Sequence, residues 1–199
     1  MNNYNEFTFL KYHGLSAQEL LEKLDSESHG FSINVPINVN MIPGLLGAKL
    51  DESVKLTANE ISMAGSVTVE VDNPVIWVNP VENLYPPRKR FTIAHEIGHL
   101  VLHIDPKTGV REFIDTKKTL TRRDYHWDIE EYEANNFAAQ LLMPTDLLNE
   151  CGNRIISSYI KKTKKDKMPT SAFMLEMSDL FDVSEPAMRF RLKNIGAIK

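Results

Sequence analysis

The period of the apolar positions changes several times along the chain, and each change marks an element. Residues 15–24 predict a helix. Leu20, Leu21 and Leu24 form an apolar stripe, Ser16 and Glu19 match a capping box, and Leu15 and Leu20 occupy the positions of a hydrophobic staple. The stretch MIPGLLG, residues 41–47, predicts a short helix capped by Asn40 and stopped by Gly47. Pro43 falls in its first turn, where the missing N–H does least harm. Between Glu60 and Asn79 the period drops to two: Val67, Val69 and Val71 alternate with Ser66, Thr68 and Glu70. Asp72-Asn73-Pro74 punctuates, and VIWV follows as a short buried strand ended by Asn79-Pro80. Two strands joined so closely predict a hairpin or meander, and hence antiparallel pairing.

After the Pro86-Pro87 break the helical period returns, with Ile93, Ile97 and Leu100 on the apolar face and Asp105-Pro106 as the stop. Residues 105–128 are polar and include Gly109, Tyr125, His126 and Trp127. They read as a long loop, with room for a short helix, and long loops in compact domains are often functional lids. Residues 129–143, IEEYEANNFAAQLLM, predict a second strong helix stopped by Pro144, and Asn149 to Gly152 predicts a turn. A further helix, a lysine-rich loop (Lys161 to Lys167) and a final helical pair complete the chain. In Met177 to Gly196, Asp182 occupies a tight turn, Ser184 caps the second helix, and Met188, Leu192 and Ile195 form its inner stripe. This segment looks like a helix-turn-helix. The expected organisation is one domain over residues 1–150 followed by a helical segment over residues 151–199.

Composition narrows the class. The 199 residues are 42% apolar and 25% charged, ordinary for a globular protein. Net charge is −4, yet residues 154–199 carry ten Lys/Arg against five Asp/Glu. A basic tail on an acidic body hints at nucleic acid or an acidic partner. Arg189, Arg191 and Lys193 are the candidates to face phosphates. A structural helical pair, or a platform for a protein substrate, is the plainer assignment and is preferred, because one basic helix is weak evidence for DNA reading. The single cysteine, Cys151, excludes an intrachain disulfide framework and fits a reducing compartment. The start MNNYNEFTFLKYHG lacks a basic stretch followed by an apolar one, and no apolar run approaches the ~20 residues that span a bilayer. The expectation is a cytoplasmic protein with no membrane partner.

The chemistry concentrates in FTIAHEIGHLVLH, Phe91 to His103. Residues four apart on a helix differ by ~40° in azimuth, so His95 and His99 can converge on one ion. Glu96 lies ~100° round from His95, placed to hold an attacking water, the division of labour in H-E-x-x-H zinc peptidases. Gly98 between the histidines predicts close approach of another backbone. A catalytic zinc usually keeps three protein ligands. His103 lies ~80° round and ~12 Å along from His95, too far to join the same ion. The metzincin continuation would need Gly at 102 and His at 105, where Leu102 and Asp105 stand. On the later helix, Ala134 and Ala138 are the small residues for a close helix contact, and Glu131 shares a line with Asn135 and Ala138. Glu131 is therefore the expected third ligand, with Asn135 as a hydrogen-bond partner behind a histidine. Glu130 and Glu133 read as a solvated acidic first turn. Candidates for an oxyanion donor are Tyr125, His126, His103 and Tyr132. The donor set suits Zn2+ and also accepts other divalent ions.

RFTIAHEIGHLVLH (Arg90 to His103) followed by EYEANNFAAQLLMP (Glu131 to Pro144) resembles the ImmA/IrrE-type metallopeptidases, and the upstream PVIWVNP is similar to the strand that precedes the metal helix in that family. The resemblance covers roughly the middle of the chain. It implies an α+β, compact zincin-like fold, with a small antiparallel or mixed sheet and a helix-turn-helix-like segment. It matches His95, His99 and Glu131 to the zinc ligands and Glu96 to the catalytic glutamate. It further implies an endopeptidase whose protein substrate is a DNA-binding repressor. The alternative is a zinc-containing regulator that binds DNA or a regulator protein through its C-terminal segment without turnover.

Overall fold

The computed structural model describes residues 7–55, 57, 63–69, 73–105, 112–116 and 129–198. In chain order these form α1 (Ala17–Glu27), α2 (Ile42–Leu45), β1 (Lys49–Asp51), β2 (Met63–Val69), β3 (Pro74–Val78), α3 (Pro86–Leu102), β4 (Glu112–Thr116), α4 (Ile129–Leu142), α5 (Thr145–Thr163), α6 (Thr170–Phe181) and α7 (Glu185–Asn194). The class is α+β, and the central helix with its histidine pair lies against the sheet, as expected of a compact zincin-like domain.

The sheet order is β1-β3-β2-β4. β2 and β3 pair antiparallel with Val67 opposite Ile76, as their spacing predicts. β1 pairs parallel to β3, which makes the sheet mixed. Two strands escape the sequence reading. β1 is only three residues long, and β4 lies in the stretch read as a loop. β4 pairs antiparallel with β2, with a register shift between Met63 and Gly65. Val71, Tyr125, His126 and Trp127 lie outside the described residues.

Local chemistry sets the helix starts. Ser16 Oγ accepts the Glu19 N–H, and the Glu19 carboxylate accepts the Ser16 N–H at 2.8 Å, the capping box expected for α1. Asn40 does not cap α2: it sits in a 3-10 turn, Val39–Met41, and Met41 takes the cap position without a side-chain bond. Gly47 does end that turn, at φ +74°. Pro86 and Pro87 open α3 rather than precede it, since their fixed φ suits the first helical positions.

The expected turn at Asn149 to Gly152 is absent, because α5 runs straight through it. Burial overrides the turn chemistry: Leu148, Cys151 and Gly152 are all buried, and Phe173 of α6 lies 3.4 Å from where a Cβ on Gly152 would be. The expected boundary at residue 150 thus falls inside a helix, and among the described residues one buried cluster takes in side chains on both sides of it, from Phe9 to Leu192. α6, Asp182 at φ 51°, and α7 form the expected helix-turn-helix-like unit. Ser184 Oγ accepts the Ala187 N–H.

α3 is the hub. Every residue from Thr92 to Val101 is buried, and the helix packs against α4 and against β2 and β3. No helix among the described residues is long and apolar enough to cross a membrane.

Candidate metal centre

One turn of α3 separates His95 and His99, which are 4% and 1% exposed, and their Nε2 atoms face each other at 3.0 Å. Gly98 between them lets α4 approach: a Cβ there would lie 3.2 Å from Ala134 Cα and 3.3 Å from Ala134 O. Glu131 stands nearly one turn before Ala134, so this contact lowers its carboxylate onto the imidazoles. Glu131 Oε2 lies 3.3 Å from His95 Nε2, and Oε1 lies 3.3 Å from His99 Nε2.

These separations fit a metal. Bonds of ~2.0–2.1 Å at tetrahedral angles set ligand atoms about 3.3 Å apart. Two imidazole nitrogens and one carboxylate oxygen are also the donor set of an open catalytic zinc site. Among the described residues, His95, His99 and Glu131 are the group that could hold an ion. Burial disfavours the imidazolium form of His99. Glu131 opposes that effect and the neighbouring imidazoles reinforce it, so His99 titrates below its ordinary value and presents the neutral ligand form. Burial pushes the Glu131 carboxyl up, but the facing His95 and His99 rings outweigh it and hold the group well below the usual carboxylate range. The site is thus electrostatically prepared for a cation.

Glu96 points to the sheet side of α3. It is fully buried, with both carboxylate oxygens shielded from solvent. Its space is made by Gly65 of β2. A Cβ on Gly65 would sit 2.6 Å from Glu96 Oε1, 2.9 Å from Thr92 Cγ2 and 3.1 Å from the Trp77 carbonyl oxygen. A buried polar network fixes this junction. Asn83 Nδ2 donates to the Ala64 and Asn79 carbonyls, Thr92 Oγ1 donates to Asn83 Oδ1, and Asn79 Nδ2 donates to the Met63 carbonyl. Sequence reasoning missed Gly65, Asn83 and Thr92. The signal for Gly65 was present, since an isolated glycine inside a strand pattern marks a bulge or a close backbone approach.

The expected partner for a histidine, Asn135, is half-buried on α4 and makes no hydrogen bond to a ligand side chain among the described residues. His103 takes that place: its Nδ1 lies 3.0 Å from His99 Nδ1, and its Nε2 lies 3.0 Å from Glu133 Oε2. Glu133 is therefore not merely a solvated acidic residue. Phe113 of β4 stacks on the His99 ring, with centroids 4.7 Å apart and planes 15° apart. Tyr132 is exposed on α4. Of the basic residues of α7, Arg191 is turned to the protein. Arg191 Nε donates to the Met143 carbonyl and its Nη2 to Thr145 Oγ1. Arg189 pairs with Glu185 at 3.1 Å, and Lys193 is exposed.

The family model Peptidase_M78, described as the IrrE N-terminal-like domain, matches residues 52–193. The chain is also 25% identical over 185 residues to the uncharacterized immunity region protein 2 of Bacillus phage phi105, covering 93% of this chain and 96% of that protein.

Proposed function

Because this chain belongs to the Peptidase_M78 family, the IrrE N-terminal-like domains, we propose that it is a zinc-dependent endopeptidase acting on a repressor-type protein. The observation that carries this reading is the convergence of His95, His99 and Glu131, with their facing atoms 3.0–3.3 Å apart. These three side chains would hold the ion. Zinc in such a site lowers the pKa of a bound water toward ~7 and polarises a carbonyl.

The protein's own part falls to Glu96. As a water oxygen adds to the scissile carbonyl carbon, Glu96 accepts the water proton, then delivers it to the amide nitrogen as the C–N bond breaks. The products are a carboxylate and an amine. Gly65 leaves the room beside α3 that the Glu96 carboxylate occupies. Tyr125, His126 and Tyr132 are candidates to hydrogen-bond the developing oxyanion, whereas His103 is engaged with His99 and Glu133.

An extended substrate would add to a sheet edge. β2 and β3 lie inside the sheet with both neighbours in place. β4, which ends the sheet among the described residues and brings Phe113 onto His99, is the strand so placed. The relative's designation as an immunity region protein accords with a substrate that controls transcription.

The test is co-expression with candidate repressor-type proteins, wild type against Glu96→Gln, with mass analysis of fragments and zinc determined on both. Cleavage by the wild type alone, at equal zinc content, supports the reading. Unchanged cleavage by Glu96→Gln would refute the mechanism.

A further inference from the structure

We propose that Glu133 and His103 form a hydrogen-bonded relay that fixes the tautomer and the aim of His99, making both positioning residues for the metal centre. The inference rests on the zinc reading above, but its argument is geometric. His99 Nδ1 and His103 Nδ1 are 3.0 Å apart. Two bare ring nitrogens at that distance repel, and two N–H groups clash, so one proton lies between them. Which ring carries it is decided at the far end.

His103 Nε2 lies 3.0 Å from Glu133 Oε2, and a carboxylate only accepts. His103 therefore keeps its proton on Nε2 and donates it to Glu133. The Nδ1 of a neutral His103 is then a lone pair, so His99 donates from its own Nδ1. His99 Nε2 is left bare toward the metal position, and the donor to the Glu131 carboxylate in the zinc-free protein is then His95, whose Nε2 lies 3.3 Å from Oε2. Without Glu133 the opposite arrangement competes: His103 donates from Nδ1, and His99 must carry its proton on Nε2, where it blocks a ligand bond.

The relay is built into the fold at three points. His103 sits at the C-cap of α3, with its N–H bonded to the His99 carbonyl at 2.9 Å, so its ring folds back over the last turn. The His103 side chain is only 7% exposed. Phe113 lies over both rings, at 4.7 Å from His99 and 5.4 Å from His103.

Zinc affinity of the full chain, measured by competition with a chromophoric chelator, tests this for His103→Ala, Glu133→Ala and the double variant. Removing a group that orients a metal-bound histidine weakens binding by about 10–100-fold. His103→Ala is expected in that range, Glu133→Ala at its lower end, and the double variant should be no weaker than His103→Ala. A full Glu133→Ala loss in the His103→Ala background would mean that Glu133 acts by charge alone, and the relay would be overturned. Nitrogen-15 NMR of the zinc-free wild type supplies the second reading. A proton on His99 Nδ1 supports the relay, and one on Nε2 overturns it. Failure of the wild type to bind zinc at all would defeat the peptidase reading, and the NMR result would still decide the relay.

Discussion

At the scale of single residues, the site depends on what is missing as much as on what is present. Gly65 has no side chain, and Glu96 occupies the space. Gly65→Ala places a methyl 2.6 Å from Glu96 Oε1 and 3.1 Å from the Trp77 carbonyl oxygen. The carboxylate can swing away, but the backbone carbonyl cannot without moving β3. The expected result is a loss of about 1–3 kcal/mol in stability and a cleavage rate reduced at least about tenfold, an oriented proton acceptor being worth ~10²–10⁴. Zinc content should be unchanged, because His95, His99 and Glu131 are untouched. Metal analysis beside a cleavage assay checks this, and lost zinc would place Gly65 in a different role. Protonation adds a second expectation. His99 titrates below its ordinary value because it is buried, so as pH falls through ~6.5 the unfolded chain takes up that proton first. Stability of the metal-free protein is then full above that pH and declines from ~6.5 toward the lower folded value. Glu131, also lowered, acts in the same direction at more acid pH. Thermal melts of the metal-free protein from about pH 8 to pH 5 should show a falling Tm, and a flat or rising Tm would contradict the assignment.

At the scale of elements, the α3–α4 contact decides whether three ligands meet, and Gly98 is where two opposing effects can be weighed. Gly98→Ala gains about 1 kcal/mol of helix propensity but sets a Cβ 3.2 Å from Ala134 Cα and 3.3 Å from Ala134 O, slightly too close. The two roughly cancel, so Gly98→Ala should be nearly neutral in Tm. Gly98→Val cannot be accommodated without parting the helices. Zinc affinity should then fall far more than stability, because Glu131 rides on the helix that is displaced. Titration of both variants with zinc, beside their melting curves, separates the two effects. Much of this contact was legible in the sequence. Helical periods, the Ser16–Glu19 box and the glycine and alanine positions are local signals, and helix geometry alone ranked Glu131 ahead of its neighbours. What was not legible depended on distant partners. β1 and β4 are short segments that become strands only by pairing with β3 and β2. The turn-like Asn149 to Gly152 is helical because burial against α6 outweighs local preference. Glu133 gained its partner only when the packing of α4 on α3 set it beside His103.

At the scale of the whole molecule, the question is whether the metal builds the fold or is received by it. Ligands from two helices could make zinc a staple, as in small domains that unfold on chelation. Here the interface beneath the site is already apolar and closed: Ile97, Ala134, Phe137, Ala138 and Leu141 are all buried. The C-terminal helices are tied to the same body. Arg90 of α3 donates from Nη2 to the Ile37 carbonyl and from Nε to the Asp182 carbonyl, and Arg191 of α7 reaches the Met143 carbonyl. One continuous core with such cross-links should melt in a single transition rather than in two steps at residue 150. Removing zinc should therefore lower Tm without abolishing the fold, by the mass-action term RT ln(1 + [Zn]/Kd), about 4 kcal/mol at a thousandfold excess over Kd. Circular dichroism with and without chelator, over a zinc series, measures this directly. Retained helicity with a concentration-dependent Tm is the expected outcome. Collapse of secondary structure on chelation would mean that the four residues Gly98, Ala134, Phe137 and Ala138 do not hold α3 and α4 together on their own, and that the site is assembled by its ion.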